Sequence, residues 1–309
     1  MGSFQNKQRT LIILMLISLS MLSNHRSYGA EEQIANFVFG DSDVDVGNNN
    51  YIVSLLKANS MPNGIDYEGP TGRFTNGRTV IDIIAQTLGK FGNSPPYLAP
   101  TTKGSVILKG VNYASGGAGI LNETGSIFIG RINFDAQLDN FANTKQDIIA
   151  QIGEAATNEL MNKAFFSVVI GANDFIANYL LPVIIRGHIL MQPDAFIDTM
   201  ISKFRLQLTR LYNMGARKIL VTNVPQIGCT PFERRINLCS GNQCAAYPNQ
   251  LAQLYNVQLK SLLTELNSNL KGSKFLYGDA YGIFTDFVYN YRSYGMFFDS
   301  YICHLVFIL

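Results

Sequence analysis

The chain has 309 residues, of which 47% are apolar and 15% charged, and its formal net charge is +2. That is apolar mass for a sizeable core in one or two domains. The near-neutral balance, without any long Lys/Arg run, gives nucleic acid no electrostatic support as a partner.

The N-terminus reads as a leader, not as part of the fold. Lys7 and Arg9 form a short basic region ahead of a twelve-residue apolar run, Leu11 to Leu22. Ser27-Tyr28-Gly29 sets small residues at the −3 and −1 positions of a cut after Gly29. This is the layout of a secretory signal peptide over residues 1–29. As a helix the run reaches only ~18 Å, short of a ~30 Å hydrocarbon core. No later segment is long and apolar enough to span a bilayer. The mature chain, residues 30–309, is expected to be a single exported domain.

Next come short β-rich runs that end in Gly, Asn or Asp, with helical patterns between them. Asn36 to Phe39 predicts a buried strand leading into Gly40-Asp41-Ser42. Val80, Ile83, Ile84 and Leu88 make an apolar stripe closed by Gly89. Val106 to Leu108 and Val111 to Tyr113 read as strand segments leading into Ser115-Gly116-Gly117. Phe165 to Ile170 predicts a strand ending at Gly171-Ala172-Asn173-Asp174. Phe196, Met200, Phe204, Leu208 and Leu211 predict a helix stopped by Gly215. Lys218 to Thr222 and Lys274 to Tyr277 predict two more strands, flanking a helical stripe from Leu251 to Leu270. Continuous apolar strands alternating with helices predict an α/β fold with a doubly wound parallel sheet. Ligands bind such sheets at the C-terminal strand ends, where the Gly/Asn/Asp/Ser clusters fall.

Ser42 stands at the first of these ends. A helix starting just after the strand would leave its hydroxyl above the sheet edge, with its own N–H facing the same space. Alone, a serine there reads as a helix cap. The other strand ends change that reading. Gly116 offers a second backbone N–H, and Asn173 an amide side chain. A serine facing neutral donors is what acyl transfer needs, because the tetrahedral intermediate carries a full negative charge on oxygen.

The runs Phe37-Val38-Phe39-Gly40-Asp41-Ser42 and Val44-Asp45-Val46-Gly47-Asn48-Asn49-Asn50-Tyr51 resemble the first block of the plant GDSL esterases/lipases. Gly72 to Arg78, Gly110 to Gly119, Ile170 to Asp174 and Asn223 to Pro231 resemble further segments of that family, in order. The resemblance covers roughly residues 34 to 300. It implies the three-layer α/β/α, flavodoxin-like fold of the SGNH hydrolases. It implies a Ser42 nucleophile, with Gly116 and Asn173 completing the oxyanion hole beside the Ser42 N–H. It also implies carboxylic-ester or acyl-lipid substrates, and no metal or organic cofactor.

Two features complicate the match. The family draws its catalytic Asp and His from an Asp-x-x-His block near the C-terminus. The histidines here are His25 in the leader, His188 outside any family block, and His304 in a tail, Tyr301 to Leu309, that departs from family sequence. Asp299 and His304 are five apart rather than three, so no Asp or His is carried over, and the chain is read as lacking the family's C-terminal part. Asp43 stands where the family usually has Leu. The alternative function is therefore a catalytically impaired relative that binds an acyl or glycan ligand.

For an exported chain the four cysteines (Cys229, Cys239, Cys244 and Cys303) point first to disulfides, with all three pairings open. Asn122-Glu123-Thr124 is a glycosylation sequon, making Asn122 a glycan site if its loop is exposed.

Overall fold

The computed structural model describes residues 34–87, 94–181, 191–241 and 243–295. Four strands form one parallel sheet in the order β1 (Asn36–Gly40), β2 (Phe165–Val169), β3 (Lys218–Thr222), β4 (Lys274–Gly278). Phe37 pairs with Phe166, Phe166 with Ile219, and Ile219 with Phe275. Beyond β1 the sheet continues as bridges rather than full strands. The Val38 N–H donates to the Val111 carbonyl, and the Tyr113 N–H returns to the Val38 carbonyl. Asn112 bridges Pro96 in turn.

The chain thus runs from β1 outward to 111–113 and then crosses back to β2. This reversal is the topological switch point of a doubly wound sheet, and it lies between β1 and β2. Ser42 follows the first of these strands and Asn173 the second.

Alternate strand residues serve opposite faces. Phe37, Phe39, Phe166, Val168, Ile219 and Val221 belong to the larger core. On that side lie helices α2 (Phe134–Ile152), α4 (Pro193–Asn213) and α6 (Ala246–Asn269), with Phe141, Phe204 and Tyr255 fully buried. Phe37, Phe39, Tyr113, Phe141 and Phe166 form one ring cluster, with centroids 5.0 to 5.9 Å apart. On the other face Val38, Phe165, Val169 and Leu220 pack with Ile81 and Ile84 of α1 (Val80–Thr87). The short helices α3 (Glu154–Lys163), α5 (Pro231–Ile236) and α7 (Ala280–Tyr289) fill the connections.

Helix ends follow local chemistry. The Asn133 side chain caps α2 by accepting the Ala136 N–H. Pro193 opens α4, and Gly215, at φ 111, ends it where expected.

Two expectations are corrected. Residues Val106 to Leu108 lie in a 3-10 helix, Gly104–Lys109, because Asn112 and its neighbours take the place beside β1. No helix starts at Ser42. The chain makes a turn through residues 42–44, and the first helical residues are the 3-10 turn Asn48–Tyr51. Among the described residues no helix is long and apolar enough to cross a membrane. Cys229 and Cys244 form a disulfide and Cys239 is free, while Cys303 lies outside the described residues.

Candidate functional site

The turn after β1 is held from both sides. The Gln137 side chain, wholly buried on α2, accepts the Gly40 N–H at 2.9 Å and donates to the Gly40 carbonyl at 2.8 Å. A methyl at Gly40 would collide with the Val169 carbonyl, so glycine is required by close approach. The Asp41 carbonyl accepts the N–H groups of Val44 and Asp45. This leaves Ser42 half-buried at the tip, and neither its hydroxyl nor its backbone N–H has a partner among the described residues.

Ser42 lines a cleft together with Asp41, Asp43, Ala172, Asn173, Ile176, Ile227 and Thr230. Its walls come from the loops after β1, β2 and β3. Gly171, at φ 127, lets the chain leave β2 sharply. Asn173 then precedes a π-helical turn, Asp174–Leu180, which carries Ile176 into the cleft. The Asn173 Nδ2 donates to the Ala118 carbonyl at 3.0 Å. An amide nitrogen has two hydrogens, and the second has no acceptor among the described residues. Ser42 and Asn173 therefore line one cleft.

Gly116 is placed differently. It is not among the residues lining this cleft, and its N–H donates to Asp45 Oδ2 at 3.1 Å. Serving an oxyanion would require that bond to be given up. The next amide, that of Gly117, donates to no described residue.

A buried polar scaffold fixes these loops, and sequence reading did not single it out. Asp45 Oδ1 accepts the Gly47 and Asn48 N–H groups, both at 2.8 Å, while Oδ2 takes Gly116. Asn48 donates to the carbonyls of Asn112 and Ala114. Asn49 donates to the Leu56 and Gly116 carbonyls and accepts the Ser115 hydroxyl. Asp174 accepts the Ile120 and Leu121 N–H groups and the Thr124 hydroxyl. An Asn-rich run by itself reads as a solvated loop. Its only hint is the density of Asp and Asn beside an apolar strand, and burial alone identifies it as internal bracing.

The electrostatics are acidic. Burial pushes Asp45 and Asp174 up to about 6 against the opposing pull of their N–H donors. Burial likewise raises Asp43 to about 6, and holds Asp41 well above the carboxylate range with Asp43 adding repulsion. No Lys, Arg or His is among the residues lining the cleft. His25, His188, His304 and Asp299 all lie outside the described residues. Among the described residues no group of three His, Cys, Asp or Glu could hold a metal ion. Asn122 is exposed in the turn after Leu121.

A family model described as GDSL-like Lipase/Acylhydrolase matches residues 37–303. Three GDSL esterases/lipases of Arabidopsis thaliana are similar to this chain. One is 58% identical over 287 residues, covering 92% of this chain and 78% of its own length. A second is 47% identical over 292 residues, with the same two shares. The third is 45% identical over 297 residues, covering 92% and 77%.

Proposed function

The chain belongs to the GDSL-like lipase/acylhydrolase family, a family of carboxylic-ester hydrolases, and from that premise we propose that Ser42 is its nucleophile toward acyl esters or lipids. The observation that carries this reading is the Ser42 hydroxyl, without a partner among the described residues, in one cleft with Asn173 at the switch point of the sheet. Ser42 Oγ attacks the ester carbonyl carbon, and the carbonyl electron pair moves onto oxygen. The Ser42 N–H and the second Asn173 N–H meet that charge, and each well-placed donor is worth about 3–4 kcal/mol. Gly116 joins them only if Asp45 releases its N–H. The hydroxyl proton needs a base within hydrogen-bond reach, and no His or Asp is assigned that role.

One competing reading, a relative that holds an acyl or glycan ligand without turning it over, is supported by a cleft whose lining residues include no Lys, Arg or His. A short-chain p-nitrophenyl ester decides between them. Turnover by the native chain well above that of Ser42→Ala supports the hydrolase, whereas equal rates leave the binding protein.

We further propose that residues 1–29 are removed on export and that Asn122 carries a glycan. The Cys229–Cys244 disulfide suits an oxidising compartment, and Asn122 is exposed. N-terminal sequencing of the secreted protein should begin at Ala30, and an intact Met1 would refute the leader. A mobility shift on deglycosylation, lost in Asn122→Gln, checks the glycan.

A further inference from the structure

From Tyr51, the last residue of the 3-10 turn, to Lys57 the exposure alternates residue by residue, and apolar side chains occupy both rows. Ile52, Ser54 and Leu56 turn inward and are half-buried, whereas Tyr51, Val53, Leu55 and Lys57 point outward. Val53 is 81% exposed and Leu55 68%. Outward positions of an extended segment are ordinarily polar. Beside this ribbon lies a second exposed apolar pair, Ile127 and Ile129, joined to it where the Leu55 N–H donates to the Phe128 carbonyl at 3.1 Å.

Ile129 sits in a conformation that β-branched residues avoid, φ 70 and ψ −73. The Gly130 N–H donates across it to the Phe128 carbonyl, closing a strained γ-turn. Such strain persists only where the surroundings impose it, and it concentrates at functional places. Here it holds a 63% exposed isoleucine outward.

The rim is tied to the candidate site. Asn49 links the Leu56 and Gly116 carbonyls, and the Gly116 N–H is held by Asp45, three residues from Ser42. No carboxylate occurs within 51–57 or 126–130. The one charge on the outward row is Lys57, at its end.

We propose that this rim docks the protein on the surface of an acyl-lipid aggregate. Tyr51, Val53, Leu55, Ile127 and Ile129 enter the acyl boundary, and Lys57 remains at the phosphate headgroups. The inference rests on the ester-hydrolase reading of Ser42 and names the physical state of its substrate. Two apolar segments that carry no carboxylate of their own and end in a cation match a phosphate-bearing apolar surface, while the exposed Glu123, whose carbonyl accepts the Ser126 N–H, stands at the edge of the patch.

The test uses the full chain carrying Ser42→Ala, so that binding is measured without turnover. Sedimentation with vesicles of phosphatidylcholine containing phosphatidylglycerol should pull the protein down. Val53→Ser combined with Leu55→Ser and Ile129→Asn should weaken binding by about tenfold or more. The sequence contains no Trp. Leu55→Trp therefore places a single indole on the rim, and its emission should shift to the blue when vesicles are added. This second readout stands even if the triple variant fails to fold. An unshifted indole, a native chain that stays in solution, or undiminished binding by a folded triple variant overturns the proposal. A vesicle-free dimer that the triple substitution dissolves overturns it too, in favour of contact between copies. Hydrolysis of a soluble p-nitrophenyl ester is scored separately on the chain that retains Ser42. Vesicle binding without turnover counts against the Ser42 reading alone, and turnover without binding against the rim alone.

Discussion

Asp174→Ala isolates what the buried scaffold contributes. The carboxylate is fully buried, with Oδ2 accepting the Ile120 N–H at 2.9 Å and Oδ1 accepting the Leu121 N–H at 2.9 Å and the Thr124 hydroxyl at 2.7 Å. Truncation strands three buried donors at roughly 1–3 kcal/mol each, and water entering the vacated space recovers part of that, leaving about 4 kcal/mol. For a chain of this size each kcal/mol moves Tm by ~2–4 °C, so the expected fall is about 10 °C.

The loss should also depend on pH with a definite sign. Burial raises the Asp174 carboxyl from 3.8 to about 6. Between those values the native chain keeps a proton that the unfolded chain has released, so the contribution of this group to stability falls as pH rises through that window. The alanine variant lacks the group, so its deficit should be larger at about pH 5 than at about pH 7, by about 1 kcal/mol. Thermal unfolding followed by far-UV circular dichroism at both pH values measures this. Thr124→Val, which removes one of the three bonds, should cost about 1 kcal/mol as an internal scale. If Asp174→Ala lies within about 1 kcal/mol of the native chain at both pH values, the bracing role is refuted.

Asn173→Ala should lower kcat about 10²- to 10³-fold with little change in KM, because its free N–H meets charge that exists only in the transition state; a loss confined to KM would contradict that role. Reducing the Cys229–Cys244 bridge, whose cysteines are 15 residues apart, should cost about 3 kcal/mol, read as a lower Tm with reductant. An unchanged Tm would show that the bridge does not stabilise the fold. Asp43→Leu should leave ester turnover at or above that of the native chain, because it removes a carboxylate beside the developing oxyanion and relieves Asp41 of a like-charged neighbour. A clear drop in kcat would contradict this.

Local pattern carries far in this chain. The inner strands are legible because buried parallel strands must be continuously apolar, and Phe37 to Phe39 or Ile219 to Val221 can hide nowhere else, whereas β4 at the sheet edge is only partly buried. The helical stripes on α4 and α6 are legible because a helix covering a sheet needs one apolar side. The segment around Val106 misleads, since a short apolar run is equally consistent with a strand or a tight helical turn. Which segment lies beside β1 is settled by non-local bonds between Val38, Val111 and Tyr113.

The candidate site divides in the same way. Sequence by itself nominated Ser42, Gly116 and Asn173 as the candidate residues, through their places at strand ends and the family resemblance of the segments that hold them. Only the tertiary structure decided how those groups are engaged. It turned the Gly116 N–H toward Asp45, enclosed Asp45, Asn48, Asn49 and Asp174 as internal acceptors and donors, and left Val53, Leu55 and Ile129 facing outward. The physical reason is range. Periodicity and turn chemistry act over a few residues, whereas a hydrogen bond between residues 45 and 116 exists only after the sheet has brought the two loops together.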